Sequence, residues 1–132
     1  MTLVLDTHTI LWYLENSKEL SSGARSAIED AIRDARDVYV SAISLVEAVY
    51  LVERRRIPAA ALQRLRAALA DPNSGLFVAP VDADVVDALE NIARDVVPDM
   101  PDGIIAATAH RLGLPLVTCD RRIRSAGIQT IW

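Results

Sequence analysis

The order of apolar and polar positions divides the chain into short alternating segments. Thr2 to Leu5 is a mostly apolar run of strand length that stops at Asp6. From Thr9 to Glu15, Ile10, Leu11 and Leu14 fall on one side of a helix. Ser21 or Ser22 suits the N-cap of a second helix to about Arg36, with Ala24, Ala27, Ile28, Ala31 and Ile32 facing inward. Val38 to Val40 reads as a short strand. A helix from about Ser44 to Arg55 follows, and Pro58 opens another that reaches Ala70. Asp71, Pro72, Asn73 and Gly75 mark a turn. Leu76 to Val81 is strand-like and Ala83 to Ala93 helical. Pro98 and Pro101 bracket the start of a helix to about Leu112, where Gly113 suits a left-handed C-cap. Leu114 to Thr118 and Ile128 to Trp132 are the last two strands.

Strands and helices in strict alternation predict an α/β fold, a mostly parallel sheet with helices on both faces. No repeat, low-complexity tract or linker interrupts the pattern, so residues 1–132 are expected to form one domain.

Composition narrows the class. A chain 52% hydrophobic and 24% charged can build a substantial core. No apolar run approaches the roughly 18 residues of a membrane span. The opening is strand-like and carries no leader pattern, so no signal peptide and a cytoplasmic location are expected. Cys119 is the single cysteine, which excludes an internal disulfide and a multi-cysteine zinc site. The net charge of −4 argues against nucleic-acid binding by a general basic surface. It leaves open an enzyme whose metal supplies the local positive charge. Of the 14 basic residues only Lys18 is a lysine, a bias that a GC-rich coding sequence explains more readily than phosphate recognition.

Ligands of parallel α/β sheets bind beyond the carboxyl ends of the strands. Asp6 closes the first strand and Asp120 lies just past Leu114 to Thr118. Glu47 sits early in the helix after Val38 to Val40, and Asp102 in the first turn after Pro101, three residues from Asp99. Each has an ordinary explanation: Asp6 as a turn or N-cap residue, Glu47 as a solvated helix residue, Asp99 and Asp102 as acids favoured at a helix start. Glu47, however, is set among the apolar Leu45, Val46, Ala48 and Val49, where an unpaired carboxylate is costly. Crowded carboxylates need protons or cations between them. Oxygen donors without cysteine favour Mg²⁺ or Mn²⁺ over zinc.

The chain resembles the PIN domain, and within it the VapC-type toxins of type II toxin–antitoxin pairs. The resemblance rests on LVLDTHTILWYL (Leu3 to Leu14), SAISLVEAVYLV (Ser41 to Val52), PDGIIAATAHRLGLPLVTCDRRI (Pro101 to Ile123) and the closing TIW (Thr130 to Trp132). It implies a three-layer α/β/α sandwich and an endoribonuclease dependent on Mg²⁺ or Mn²⁺. The acidic quartet of the family falls on Asp6, Glu47, Asp102 and Asp120, with Asp6 and Asp102 the firmest metal ligands. Thr118 and Thr7 are implied as helpers, and Asp99 as a further participant beside the third motif. An RNA substrate, a cognate antitoxin whose tail covers the acidic pocket, and a homodimer are the implied partners. One departure is visible: many relatives carry arginine after the third acid, where this chain has Gly103, which puts a phosphate contact in doubt.

Other residues have simpler roles open to them. His8 is close enough to Asp6 to approach substrate or metal, although a histidine near a helix start more often caps or packs. His110 lies among apolar helix residues. Cys119 beside Asp120 invites a nucleophile reading, but no histidine partner is indicated. Arg54, Arg55 and Arg56 end a helix and complement its dipole. Arg121, Arg122 and Arg124 follow Asp120 directly and are the better candidates for RNA phosphate contacts, against the alternative of a solvated helical turn. With six aromatic residues, and Trp12 and Tyr13 read partly as core, a base-stacking platform is not expected.

Three rival functions remain. A receiver-type signalling domain also gathers acids around Mg²⁺, but needs a lysine near the end of a late strand. A haloacid-dehalogenase-like phosphatase wants an acid where His8 stands. A catalytically silent PIN-like module that binds RNA or protein is opposed by the intact acids.

Overall fold

The computed structural model describes all 132 residues. Five strands form one sheet: β1 (Leu3–Leu5), β2 (Val38–Ser41), β3 (Leu76–Ala79), β4 (Leu116–Val117) and β5 (Thr130–Ile131). Seven helices connect them: α1 (Thr7–Leu14), α2 (Ser22–Arg33), α3 (Ala42–Glu53), α4 (Ala59–Ala70), α5 (Ala83–Leu89), α6 (Met100–Leu112) and α7 (Arg121–Ser125). The strand order is β3-β2-β1-β4-β5 and every pairing is parallel.

The central strand explains the layering. Leu3, Val4 and Leu5 are all buried, yet successive side chains point to opposite faces. Leu3 and Leu5 join Ile10 and Leu11 of α1, Ala24 and Ile28 of α2 and Leu65 of α4. Val4 joins Val85 of α5, Ile105 and Ala109 of α6 and Ile123 of α7 on the other side. The result is the three-layer α/β/α sandwich with helices on both faces.

The expected helix starts are corrected at two places. α1 begins at Thr7, because Asp6 is its N-cap and accepts from the Thr9 backbone N–H at 2.9 Å. α3 begins at Ala42, because Ser41 accepts from the Ile43 N–H at 3.2 Å. Elsewhere elements stop sooner than their hydrophobicity suggests. α2 stops at Arg33 with Ala35 in the left-handed region at φ 55°. β3 stops at Ala79, before Pro80. α5 ends at Leu89, four residues before the expected Ala93, and β4 keeps two paired residues after Pro115. Gly113 does cap α6 in the left-handed conformation, at φ 67°.

The strand order creates the place for a site. The chain lays strands outward from β1 to one side, then returns to place β4 on the other. The reversal leaves a crevice at the carboxyl ends of β1 and β4.

Candidate active site

Two neighbouring strands deliver the first pair of acids. Leu5 is in register with Val117, so the next residues, Asp6 and Thr118, leave the sheet side by side. The buried Thr118 hydroxyl donates to Asp6 Oδ2 and accepts from the Asp120 backbone N–H at 3.0 Å. One threonine thus holds the carboxylate of β1 and the backbone of the acid after β4. Asp6 Oδ1 is taken by its cap bond, so both oxygens are oriented from within the protein. Asp120 caps α7, accepting from the Arg122 backbone N–H at 2.9 Å, and forms an ion pair with the Arg122 side chain at 3.4 Å.

Helices α3 and α6 bring the other pair. The hydroxyl of buried Thr7 donates to Ser44 Oγ at 2.8 Å, tying the first turn of α1 to that of α3. Glu47 lies three residues beyond Ser44, on the same side of the helix. Its Oε1 is buried without a hydrogen-bond partner. Asp99 caps α6 and accepts from the Asp102 backbone N–H at 3.3 Å, which fixes Asp102 in the first turn.

Asp6, Thr7, His8, Glu47, Asp102, Cys119, Asp120 and Arg122 line one cleft of about 340 Å³. The four sequence-derived acids therefore share a cavity, with Thr7 in its wall and Thr118 bridging Asp6 and Asp120. Asp99 does not line it. Among the three arginines after Asp120 only Arg122 does; Arg124 donates instead to Thr130 Oγ1 at 3.1 Å, and Arg121 is exposed away from the lining. Gly103 is buried outside the lining, and a side chain there would meet Leu89 and Arg94. Ser44 was not anticipated as part of the support. Its only sequence signal is its position one turn before Glu47.

The electrostatics match the crowding. Burial first, and then the charges of Asp99, Glu47, Asp120 and Asp6 in that order, together raise the Asp102 carboxyl from 3.8 to about 7. Burial, then the charge of Asp6, also raises the Cys119 thiol, which keeps it protonated and disfavours it as nucleophile or metal ligand. An orphaned carboxylate oxygen and a carboxyl pushed up by burial and by its acidic neighbours are what a cation would relieve. No three acidic, histidine or cysteine side chains form a preformed metal cage. The donor set itself, carboxylate oxygens without a thiolate, is of the kind that Mg²⁺ or Mn²⁺ takes, and Mg²⁺ retains waters and needs few carboxylates.

Comparison with known proteins agrees with this architecture. The PIN domain family matches residues 3–129. The chain is 36% identical over 126 residues to Ribonuclease VapC22 of Mycobacterium tuberculosis, covering 94% of this chain and 91% of that protein. The structure of VapBC2 from Rickettsia felis, bound to a DNA fragment from its promoter, superposes with a TM-score of 0.73 at 15% identity, covering 98% of this chain and 97% of the other. DNA-bound VapBC from Salmonella typhimurium gives 0.68 at 23%, over 98% and 96%. At those identities the two structures speak to the fold alone.

Proposed function

The chain belongs to the PIN domain family, and from that premise we propose that it is a Mg²⁺- or Mn²⁺-dependent endoribonuclease, the toxin of a type II toxin–antitoxin pair. The observation that carries the proposal is the single cleft lined by Asp6, Glu47, Asp102 and Asp120, with Glu47 Oε1 buried and unpartnered. The ribonuclease relative at 36% identity supplies the substrate class.

Asp6, Asp102 and Asp120 are the proposed metal ligands, with Glu47 completing the pocket. When bound, the ion would supply Lewis acidity for hydrolysis and neutralise charge on the phosphate. The rest is the work of the chain. Thr118 keeps Asp6 and Asp120 turned toward one point. The Thr7–Ser44 bond holds α3 so that Glu47 reaches the cleft. Asp99 keeps the first turn of α6 in place beneath Asp102. Arg122 can exchange Asp120 for an RNA phosphate, while Arg121 and Arg124 would act on more distant phosphates. No side chain forms a covalent bond to RNA in this scheme, and the protonated Cys119 is a bystander.

An antitoxin and a second copy of the chain are the proposed protein partners. Val46 and Tyr50, 47% and 53% exposed on α3, form the apolar surface that either would cover. Sedimentation at several concentrations tests the dimer. No helix is long and apolar enough to cross a membrane.

The decisive assay uses labelled structured RNAs with Mg²⁺, Mn²⁺ or EDTA. Cleavage should need the ion and vanish in the double variant Asp6→Ala, Asp102→Ala. Equal cleavage by wild type and double variant would sink the mechanism.

A further inference from the structure

One exposed aromatic group on the wall of the cleft is given no role by the metal and phosphate assignments above. His8 lies in the first turn of α1, two residues after Asp6, and lines the cleft. Its ring stacks on Trp12, one helical turn on, with centroids 5.5 Å apart and planes 28° from parallel. Trp12 is half-buried, packs on the core that contains Leu11, and meets Trp132 at 6.0 Å and 60°. One face of the imidazole is thus covered by an anchored indole, and the ring as a whole remains exposed.

The charge pattern says what such a ring is suited to hold. Arg122 is the only lysine or arginine in the lining, it is paired with Asp120, and the whole chain carries −4. Apart from a bound metal ion, the lining thus offers a polyanionic strand a single side-chain cation. The π-face of an unpaired base carries no charge, and single-stranded RNA is commonly held by stacking splayed bases on aromatic side chains, histidine included. Packing alone would account for a His–Trp stack on a surface helix. It would not require the imidazole end of the stack to stand in the wall of the acidic cleft.

We propose that His8 is the shelf on which a base of single-stranded RNA stacks beside the cleavage point, and that Trp12 is the positioning residue that fixes the imidazole plane. The inference rests on the ribonuclease reading. Because every base offers a π-face, the shelf fixes where the strand lies and does not choose the base. It is one ring on a helix, in contrast to the multi-aromatic platform that the composition argues against.

The test compares wild type with His8→Ala, His8→Phe and Trp12→Phe on a random-sequence single-stranded RNA of roughly 20 nucleotides, longer than most single-strand sites. Cleavage is followed with Mn²⁺. Binding of that RNA and of an abasic strand with the same backbone is followed by anisotropy with Ca²⁺. His8→Ala should raise the apparent KM roughly tenfold, the loss expected for one stacked base, with kcat within about twofold, the signature of lost uniform binding. It should also lose most of the preference for base-bearing over abasic strand. His8→Phe and Trp12→Phe, which keep stacked rings, should stay near wild type in both measurements, and thermal unfolding should show all variants folded. An unchanged KM, a fall in kcat alone, or failure of His8→Phe to rescue overturns the shelf while leaving the ribonuclease reading in place. If wild type cleaves no RNA at all, the ribonuclease reading fails and the shelf fails with it.

Discussion

The Thr118 hydroxyl donates to Asp6 Oδ2 while accepting from the backbone of Asp120, so the two acids at the strand switch share one small polar side chain. The bond follows from register: once Leu5 pairs with Val117, the next residues must emerge together. Thr118→Val keeps the shape and removes both the donor and the acceptor. It should lower kcat/KM by roughly 10- to 100-fold, the usual effect of losing a residue that orients metal ligands. Thr118→Ser should retain most activity. Steady-state kinetics on one cleavable RNA, with thermal unfolding as control, separates lost orientation from lost folding.

The Asp102 carboxyl gives a pH dependence with a definite sign. Its value is about 7 in the folded chain against 3.8 unperturbed, so between those limits the folded state binds more protons than the unfolded one. Stability of the metal-free protein should therefore fall as pH rises through that window, as far as this group decides it. A divalent cation competes with the proton, so the rise in melting temperature caused by Mn²⁺ should be larger at pH 8 than at pH 6. Asp102→Asn should flatten the first trend and remove most of the second. Melting curves across pH, with Mn²⁺ or with EDTA, measure both.

Glu47 tests the same crowding from another side. With Oε1 buried and unpartnered, Glu47→Gln removes a charge while keeping the shape. Without metal at pH 8 the variant should be the more stable, because the repulsion between Glu47 and the Asp102 carboxyl is removed. The Asp102 carboxyl should move down toward its ordinary range, since Glu47 is one of the groups that raise it. Cleavage should nevertheless drop. Denaturant titration and carboxyl NMR shifts provide the readouts.

Asp6 and Asp120 were legible in the sequence because an acid after an apolar strand lands at the ligand edge of a parallel sheet. Glu47 stood out by its place early in the helix after β2, as a charge in apolar company, and through the family resemblance. The starts of α1 and α3 were less legible, because Asp6 and Ser41 turn back to cap their own helices and residues 7 to 9, Thr-His-Thr, give no hydrophobic period. α7 has only Ile123 buried, too little for periodicity to reveal. The Thr7–Ser44 bond joins residues 37 apart, so it exists only once α1 and α3 have packed. The local sequence therefore carried the acids, while the assembled fold provides what aims them.

That bond can be removed from either end. Ser44→Ala should cost about 1 kcal/mol, and Thr7→Val a similar amount, as for a buried hydrogen bond that leaves its partner unmatched. The double variant should cost less than the two summed, because neither polar group then remains stranded. If the bond aims Glu47, kcat should fall in the single variants while the fold persists. Denaturant unfolding of the four proteins yields the coupling, and a coupling of zero would mean that α3 is held by packing alone.

Gly103 follows the third acid directly, and its surroundings decide what a replacement does. It is buried in α6, and a Cβ there would lie 3.3 Å from Leu89 Cδ1 and 3.6 Å from Arg94 Nη1. The position therefore faces the segment joining α5 to α6, outside the acidic lining. For Gly103→Ala, the helix-propensity gain of about 1 kcal/mol is opposed by a contact that the end of Leu89 can relieve by rotating. The variant should be near neutral in stability and cleavage. Gly103→Arg must force a long side chain between Leu89 and Arg94, and the two guanidinium groups would repel. A loss of about 1–3 kcal/mol is expected, as for overpacked positions, without tighter RNA binding. Chemical denaturation and anisotropy on the same RNA check both statements. Tighter binding by Gly103→Arg would mean that the site does reach the substrate.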